Sequence, residues 1–228
     1  MKSRSVAFLT ALLTAVSPYL SRPAIASPWH EPPGALRPGT GQGSTDSTIY
    51  APGMRFPLEV GPAHLNSQVH SLGGSWSHPL NYRLPWQDNF CEKRSWRTPL
   101  CPSGSGHQGQ DIRPGDKRGD FYWAVAVEDA TVVYISAKGG WKVQLRGRAS
   151  KTLYNYLHLN MDKLLVKVGQ TVNAGDRIGL VSNHFGGTPT SVHLHFEMQQ
   201  AIRGYNGIVH VPPYSSLVAA YKALGEPK

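Results

Sequence analysis

Long hydrophobic runs are missing beyond the N-terminus of this chain, which excludes a protein that crosses a membrane several times. Cysteine is almost absent: only Cys91 and Cys101 occur. Two thiols are too few for a zinc site built from cysteine alone, and no nucleophile signature surrounds either one. An even, closely spaced pair in an oxidising compartment reads instead as one disulfide closing a short loop. Runs of Lys and Arg are also missing, and this argues against nucleic-acid binding. Acidic residues are scarce, 14 against 23 Lys and Arg, so the formal charge is +9 with His neutral.

What is present is a chain of 228 residues, 40% hydrophobic and 10% aromatic, long enough to bury a sizeable core. Its 24 Gly and 18 Pro favour many turns and short strands over a helical bundle. Residues 1–26 read as a signal peptide: Lys2 and Arg4, an apolar stretch over 6–16, then Ala24-Ile25-Ala26. Export to the periplasm or outside the cell follows, with no stable membrane insertion. Removal of that segment takes away Lys2, Arg4 and Arg22 and no acid, so the chain stays basic and is drawn to polyanions such as cell wall.

Residues 27–50 are rich in Pro, Gly, Ser and Thr without apolar period, and read as a flexible linker. Residues 51–101 read as a loop-rich N-terminal extension that holds the disulfide and carries Trp76, Trp86 and Trp96. The competing reading is a prosegment covering an active site, in which case truncation to about residue 70 raises the rate. From 102 to 228 the character changes. Runs at 123–127, 130–135, 141–145, 151–159, 164–168, 177–181 and 192–198 have β composition and Gly, Asn or Asp turns between them. They predict an all-β domain, a sandwich or barrel. Leu217, Ala220, Tyr221 and Leu224 follow helical spacing and predict one short C-terminal helix.

Four of the ten histidines fall in three compact motifs: His107-Gln-Gly-Gln-Asp111, Tyr156-Leu-His158-Leu159 and His193-Leu-His195-Phe-Glu197. In a strand, Val192, Leu194, Phe196 and Met198 face one way, and His193, His195 and Glu197 the other. The same parity groups Tyr154, Tyr156 and His158. A hydrolytic zinc site keeps three protein ligands and one open position. His107, Asp111 and one of the paired histidines can supply three, and the other two histidines can act on water and a carbonyl. His30, His64, His70, His78, His184 and His210 read as loop or tail residues, mostly solvated, with His184 near the groove. Glu197 reads as either a support for a ligand or a surface pair, and Tyr156 as groove lining or packing.

In their order and surroundings these motifs resemble the M23 peptidase family, the LytM/lysostaphin-type zinc endopeptidases. The likeness runs from His107 to about Tyr214 and includes Ala130-Thr-Val-Val-Tyr134 and the turn-rich run 166–179. The resemblance implies an antiparallel β-sheet sandwich of the LytM/duplicated-hybrid-motif type, with a groove across one face. It implies zinc held by His107, Asp111 and His195, with His158 and His193 as catalytic histidines. The loop ahead of His193 and the segment 141–151 depart from the family pattern, which touches substrate preference more than the metal.

The function expected on this resemblance is an exported, zinc-dependent endopeptidase, monomeric, cutting the peptide cross-links of peptidoglycan. The alternative is a non-catalytic cell-wall-binding or hydrolase-activator protein of the same fold. A carrier module of the lipoyl type is suggested by 166–179 alone, and no suitably placed lysine supports it.

Overall fold

The structure, a computed structural model, describes residues 29–66, 78–136, 141–185 and 189–225. The expected signal peptide, His70, Trp76 and residues 186–188 lie outside them. Among the described residues, ten strands and one α-helix follow in chain order, besides two short 3-10 turns: β1 Ala63–Leu65, β2 Gln110–Pro114, β3 Trp123–Val125, β4 Ala130–Ser136, β5 Lys142–Gly147, β6 Leu153–Leu157, β7 Thr171–Val172, β8 Arg177–Leu180, β9 Leu194–Ala201, β10 Ile208–Val211 and α1 Tyr214–Ala223. Eight strands form one antiparallel sheet in the order β1-β2-β9-β6-β5-β4-β7, with β10 pairing the far part of β9. β3 and β8 make a separate antiparallel pair. The all-β expectation with one short C-terminal helix holds. Among the described residues no helix is long and apolar enough to cross a membrane.

Side-chain alternation explains which strands lie where. In β5, Val143 and Leu145 are buried while Gln144 and Arg146 point outward, as in a strand with one wet face. β6 and β9 sit mid-sheet, β6 buried over Leu153–Tyr156 and β9 over Leu194–Met198. One face of β9 packs Leu194, Phe196 and Met198 into the core, and the other lies under a groove. The run at 164–168 is not a strand. It is a loop tied to β8 by the Leu165 amide donating to the Ile178 carbonyl, and the partner of β4 is the shorter β7.

The segment 51–66 does more than pack on the outside. Ala51, Met54, Phe56, Leu58, Ala63, Leu65 and Trp86 belong to the same apolar cluster as the sheet and as Leu217, Ala220 and Tyr221 of α1. Trp86 is fully buried, its indole donates to the Ala63 carbonyl at 2.8 Å, and its ring lies 4.4 Å from that of Tyr221. The stretch 29–50, composed like a linker, is held along its length. The Glu31 amide donates to the Trp86 carbonyl, Gly34 to Asp88, and Thr40 accepts from the Lys93 amide. Backbone groups of a loop run against buried surface have to be paired, and this one pairs them with the disulfide-bearing region.

Candidate metal centre

Five side chains from three regions of the chain meet on the groove side of β9. β2 pairs β9 with Asp111 opposite His195, so both project from the same face. Gly109 makes the approach possible. A Cβ there would stand 2.4 Å from the Phe196 carbonyl oxygen and 3.0 Å from His195 Nε2, so the glycine of the first motif is a steric requirement. His107 precedes β2 and is tied to the disulfide region by its amide to Glu92 and its carbonyl to Cys91. The Cys91–Cys101 disulfide forms as expected, with Cα atoms 5.3 Å apart.

His107 Nε2 lies 3.4 Å and His195 Nδ1 2.9 Å from the same carboxylate oxygen, Asp111 Oδ1. One ligand atom of each of these three buried residues lies within 4.8 Å of the others. Each remaining nitrogen is already engaged. His107 Nδ1 donates to the Asn89 carbonyl at 2.9 Å, because a carbonyl can only accept, and this leaves the Nε2 lone pair facing Asp111. His195 Nε2 stands 3.0 Å from Glu197 Oε1. With its Nε2 proton given to Glu197, the Nδ1 lone pair faces an anionic oxygen. Two acceptors at 2.9 Å need a cation between them, either a proton or a metal ion. In the protein without metal a proton fills that place. Burial pulls His195 down, but its bonds to Asp111 and Glu197 outweigh burial and push it up to about 9. Burial likewise pushes Asp111 up, yet His107 and His193 around it hold it well below the usual carboxylate range. Two imidazole nitrogens and one carboxylate oxygen, all converging, suit a zinc ion.

His193 and His158 stand beside this triad, their ring centres 4.5 Å apart. His193 Nδ1 donates to the Ser191 carbonyl at 2.8 Å, and His158 Nδ1 to the His184 carbonyl at 3.0 Å. Both therefore turn an unprotonated Nε2 away from those bonds, and His193 Nε2 comes within 3.5 Å of Asp111 Oδ1. Burial, and for His158 the neighbouring His193 and His195, lowers both pKa values and keeps the rings neutral. Strand parity alone would place His158 with Tyr154 and Tyr156. Those two face the core, and the Tyr156 hydroxyl accepts the Val127 amide. A left-handed φ of 65° at His158 breaks the alternation and swings its ring to the groove. Tyr156 is thus packing and not groove lining.

Three contributing residues escaped the sequence reading. Asn89, in the loop-rich extension, bonds both His107 and Asp111. Asn155, the true groove-side residue of β6, donates to Glu197 Oε2 at 2.7 Å. It stands opposite Glu197 in the sheet, a register that only the β6–β9 pairing reveals. His210 is not solvated but half-buried in β10, 3.3 Å from Glu197 and 2.7 Å from the Gln199 side chain. Glu197 is therefore a support for His195, held on its other oxygen, and not a surface pair. His64 likewise sits in β1 and not in a loop.

The groove over these residues encloses about 580 Å³ and is walled by Arg94 and Trp96 from the disulfide loop and by Lys142 and Phe185 opposite. Trp96 and Phe185 remain exposed while their rings lie 6.5 Å from His107 and 5.2 Å from His158.

A buried carboxylate-and-histidine pocket of this kind, open to a groove on an all-β scaffold, is a candidate metal centre. Residues 105–207 match the family described as Peptidase family M23. An uncharacterized metalloprotease of Haemophilus influenzae is 31% identical over 186 residues, 78% of this chain. The chain spans only 37% of that relative's length. Among solved structures, the catalytic domain of the antimicrobial peptidase lysostaphin from Staphylococcus simulans is 25% identical, with a TM-score of 0.39 over 53% of this chain and 86% of that one. A zinc-containing peptidase from Vibrio cholerae is 22% identical, with a TM-score of 0.32 over 67% of this chain and 36% of that one.

Proposed function

We propose that this protein is a zinc-dependent endopeptidase acting on the peptide cross-links of bacterial peptidoglycan. One observation carries the reading. The lone pairs of His107 Nε2 and His195 Nδ1 converge on Asp111 Oδ1, with the second nitrogen of each ring already bonded elsewhere. Zinc held by these three residues supplies Lewis acidity toward a water molecule and the scissile carbonyl. The protein's own part is proton transfer and charge stabilisation. His158 and His193, neutral and with Nδ1 committed to a backbone carbonyl, can accept the proton of the attacking water at Nε2. The imidazolium so formed faces the developing oxyanion and can pass its proton to the leaving amine. Burial of both rings excludes competing solvent.

The family match over 105–207 and the metalloprotease name of the Haemophilus influenzae relative support peptide-bond hydrolysis. The basic balance, +9 for the whole chain and still positive without residues 1–26, suits an anionic polymer as substrate. Export to the periplasm or beyond is part of the proposal, motivated by the N-terminal pattern and the disulfide. The non-catalytic alternative is disfavoured by the residue types at 107, 111, 158, 193 and 195, which are those the hydrolysis needs.

Digestion of purified peptidoglycan, with products identified by mass spectrometry, tests the reading. Cross-linked fragments should become monomers with the parent chain and not with His193→Ala. Equal cleavage by that variant would sink the mechanism, and no cleavage by a zinc-loaded parent would sink the substrate.

A further inference from the structure

We infer that Asn89, in the segment ahead of the family-matched domain, is the positioning residue for two of the three metal-binding side chains. The inference rests on the reading of His107, Asp111 and His195 as a zinc site. Asn89 is buried, with a relative exposure of 1%. Its side chain meets Asp111 twice. Nδ2 donates to Asp111 Oδ2 at 2.7 Å, and Oδ1 accepts the Asp111 backbone amide at 3.1 Å. Its carbonyl accepts from His107 Nδ1 at 2.9 Å. The residue is itself anchored through its amide to Gln110 Oε1 at 3.1 Å and through Nδ2 to the Asn66 carbonyl at 3.4 Å.

These bonds have a directional consequence. Asp111 Oδ2 is satisfied by the amide, so Oδ1 is the oxygen left for the histidine nitrogens. His107 is locked in the tautomer that carries its lone pair on Nε2. One residue thereby aims two ligand atoms at one point. Few side chains could replace it. Aspartate has the acceptor but not the donor and would set two carboxylates together. Glutamine is a methylene too long for a fully packed site, and alanine leaves Asp111 Oδ2 unpaired in the interior. The loop is stiffened on both sides: Asp88 accepts the Phe90 and Gly34 amides, and Cys91 donates to the His107 carbonyl. The matched span 105–207 therefore lacks a part of its own metal site, which residues 29–101 supply.

The test measures metal binding by the full chain, independently of turnover. Zn²⁺ affinity is read by competition with a chromophoric chelator, and ligand geometry by the visible spectrum of the Co²⁺-substituted protein. Asn89→Ala is compared with Val172→Ala, a core truncation in β7 away from the site that lowers Tm as a control for stability. Asn89→Ser, which leaves room for a water, stands in where the alanine variant does not fold. The Asn89 variants should lose about 10–100-fold in Zn²⁺ affinity and shift the Co²⁺ spectrum, while Val172→Ala keeps both. A folded Asn89 variant with the parent's affinity and spectrum would overturn the inference, as would an equal loss in Val172→Ala. A parent chain that takes up no zinc would overturn the proposed function and this inference together. A zinc-loaded, active parent beside an unaffected Asn89→Ser overturns the inference alone.

Discussion

At the residue scale, the centre works by committing one nitrogen of every imidazole to a fixed partner. Glu197 illustrates this: it accepts a hydrogen bond from His195 Nε2–H and is itself held by Asn155 and His210. Glu197→Ala should therefore weaken Zn²⁺ binding by about 10–100-fold without moving the sheet, measurable by chelator competition beside an unchanged circular-dichroism spectrum. His64 offers a pH-dependent counterpart away from the metal. Burial, with the nearby Arg113 charge, lowers it from an ordinary 6.5 to about 4. A base depressed in the folded state leaves stability intact above pH 6.5. Stability then falls as pH drops through the interval down to about 4, because the unfolded chain takes the proton more readily. Urea unfolding of the metal-free protein at pH 7.5 and pH 5 should show this loss, and His64→Gln should reduce it.

At the scale of elements, the disulfide loop and the turn after β6 decide the shape of the groove. The loop between Cys91 and Cys101 carries Arg94 and Trp96 onto one wall and pairs with His107 through the backbone. Its cross-link spans a sequence separation of 10, and closing a loop of this length contributes about 2–3 kcal/mol in the chain-entropy account. The Cys91→Ala/Cys101→Ala double variant should lose about that much unfolding free energy, read as a lower urea midpoint at unchanged m. Trp96→Ala removes groove surface but no bond to the ligands, so it should raise KM several-fold with little change in kcat. A fall in kcat alone would contradict a role in the wall. The turn after β6 depends on the left-handed backbone of His158, a conformation that β-branched residues resist.

At the scale of the whole molecule, the extension and the β-domain share one core. A prosegment that merely covered the groove could be cut away with a gain in rate. Here truncation to about residue 70 removes Phe56, Leu58, Ala63 and Leu65, all buried in the common cluster. Replacing a single buried phenylalanine by alanine costs about 3–5 kcal/mol, against a total stability of about 5–15 kcal/mol for a domain. The truncated chain should therefore lose its cooperative thermal transition together with the capacity to bind Zn²⁺, and show no faster turnover.

The amino-acid sequence by itself marked the β class, the C-terminal helix, the disulfide and the three histidine motifs, and the family resemblance of those motifs singled out the five site positions. Short-range pattern carries each of these: alternation, helical spacing, cysteine proximity, and motifs only a few residues long. It also made Gly109 necessary, although the reason became visible only with Phe196 and His195 packed over it. Tertiary structure alone decided the rest. Asn89 reaches Asp111 across 22 positions of sequence, and Asn155 reaches Glu197 across 42. No local period marks such a residue, because its role comes from strand pairing and loop docking. His158 was legible as a site residue, but strand parity pointed it the wrong way. One backbone dihedral reversed that, and such a dihedral is set by the packing of the folded chain around it and not by the residue's own preference.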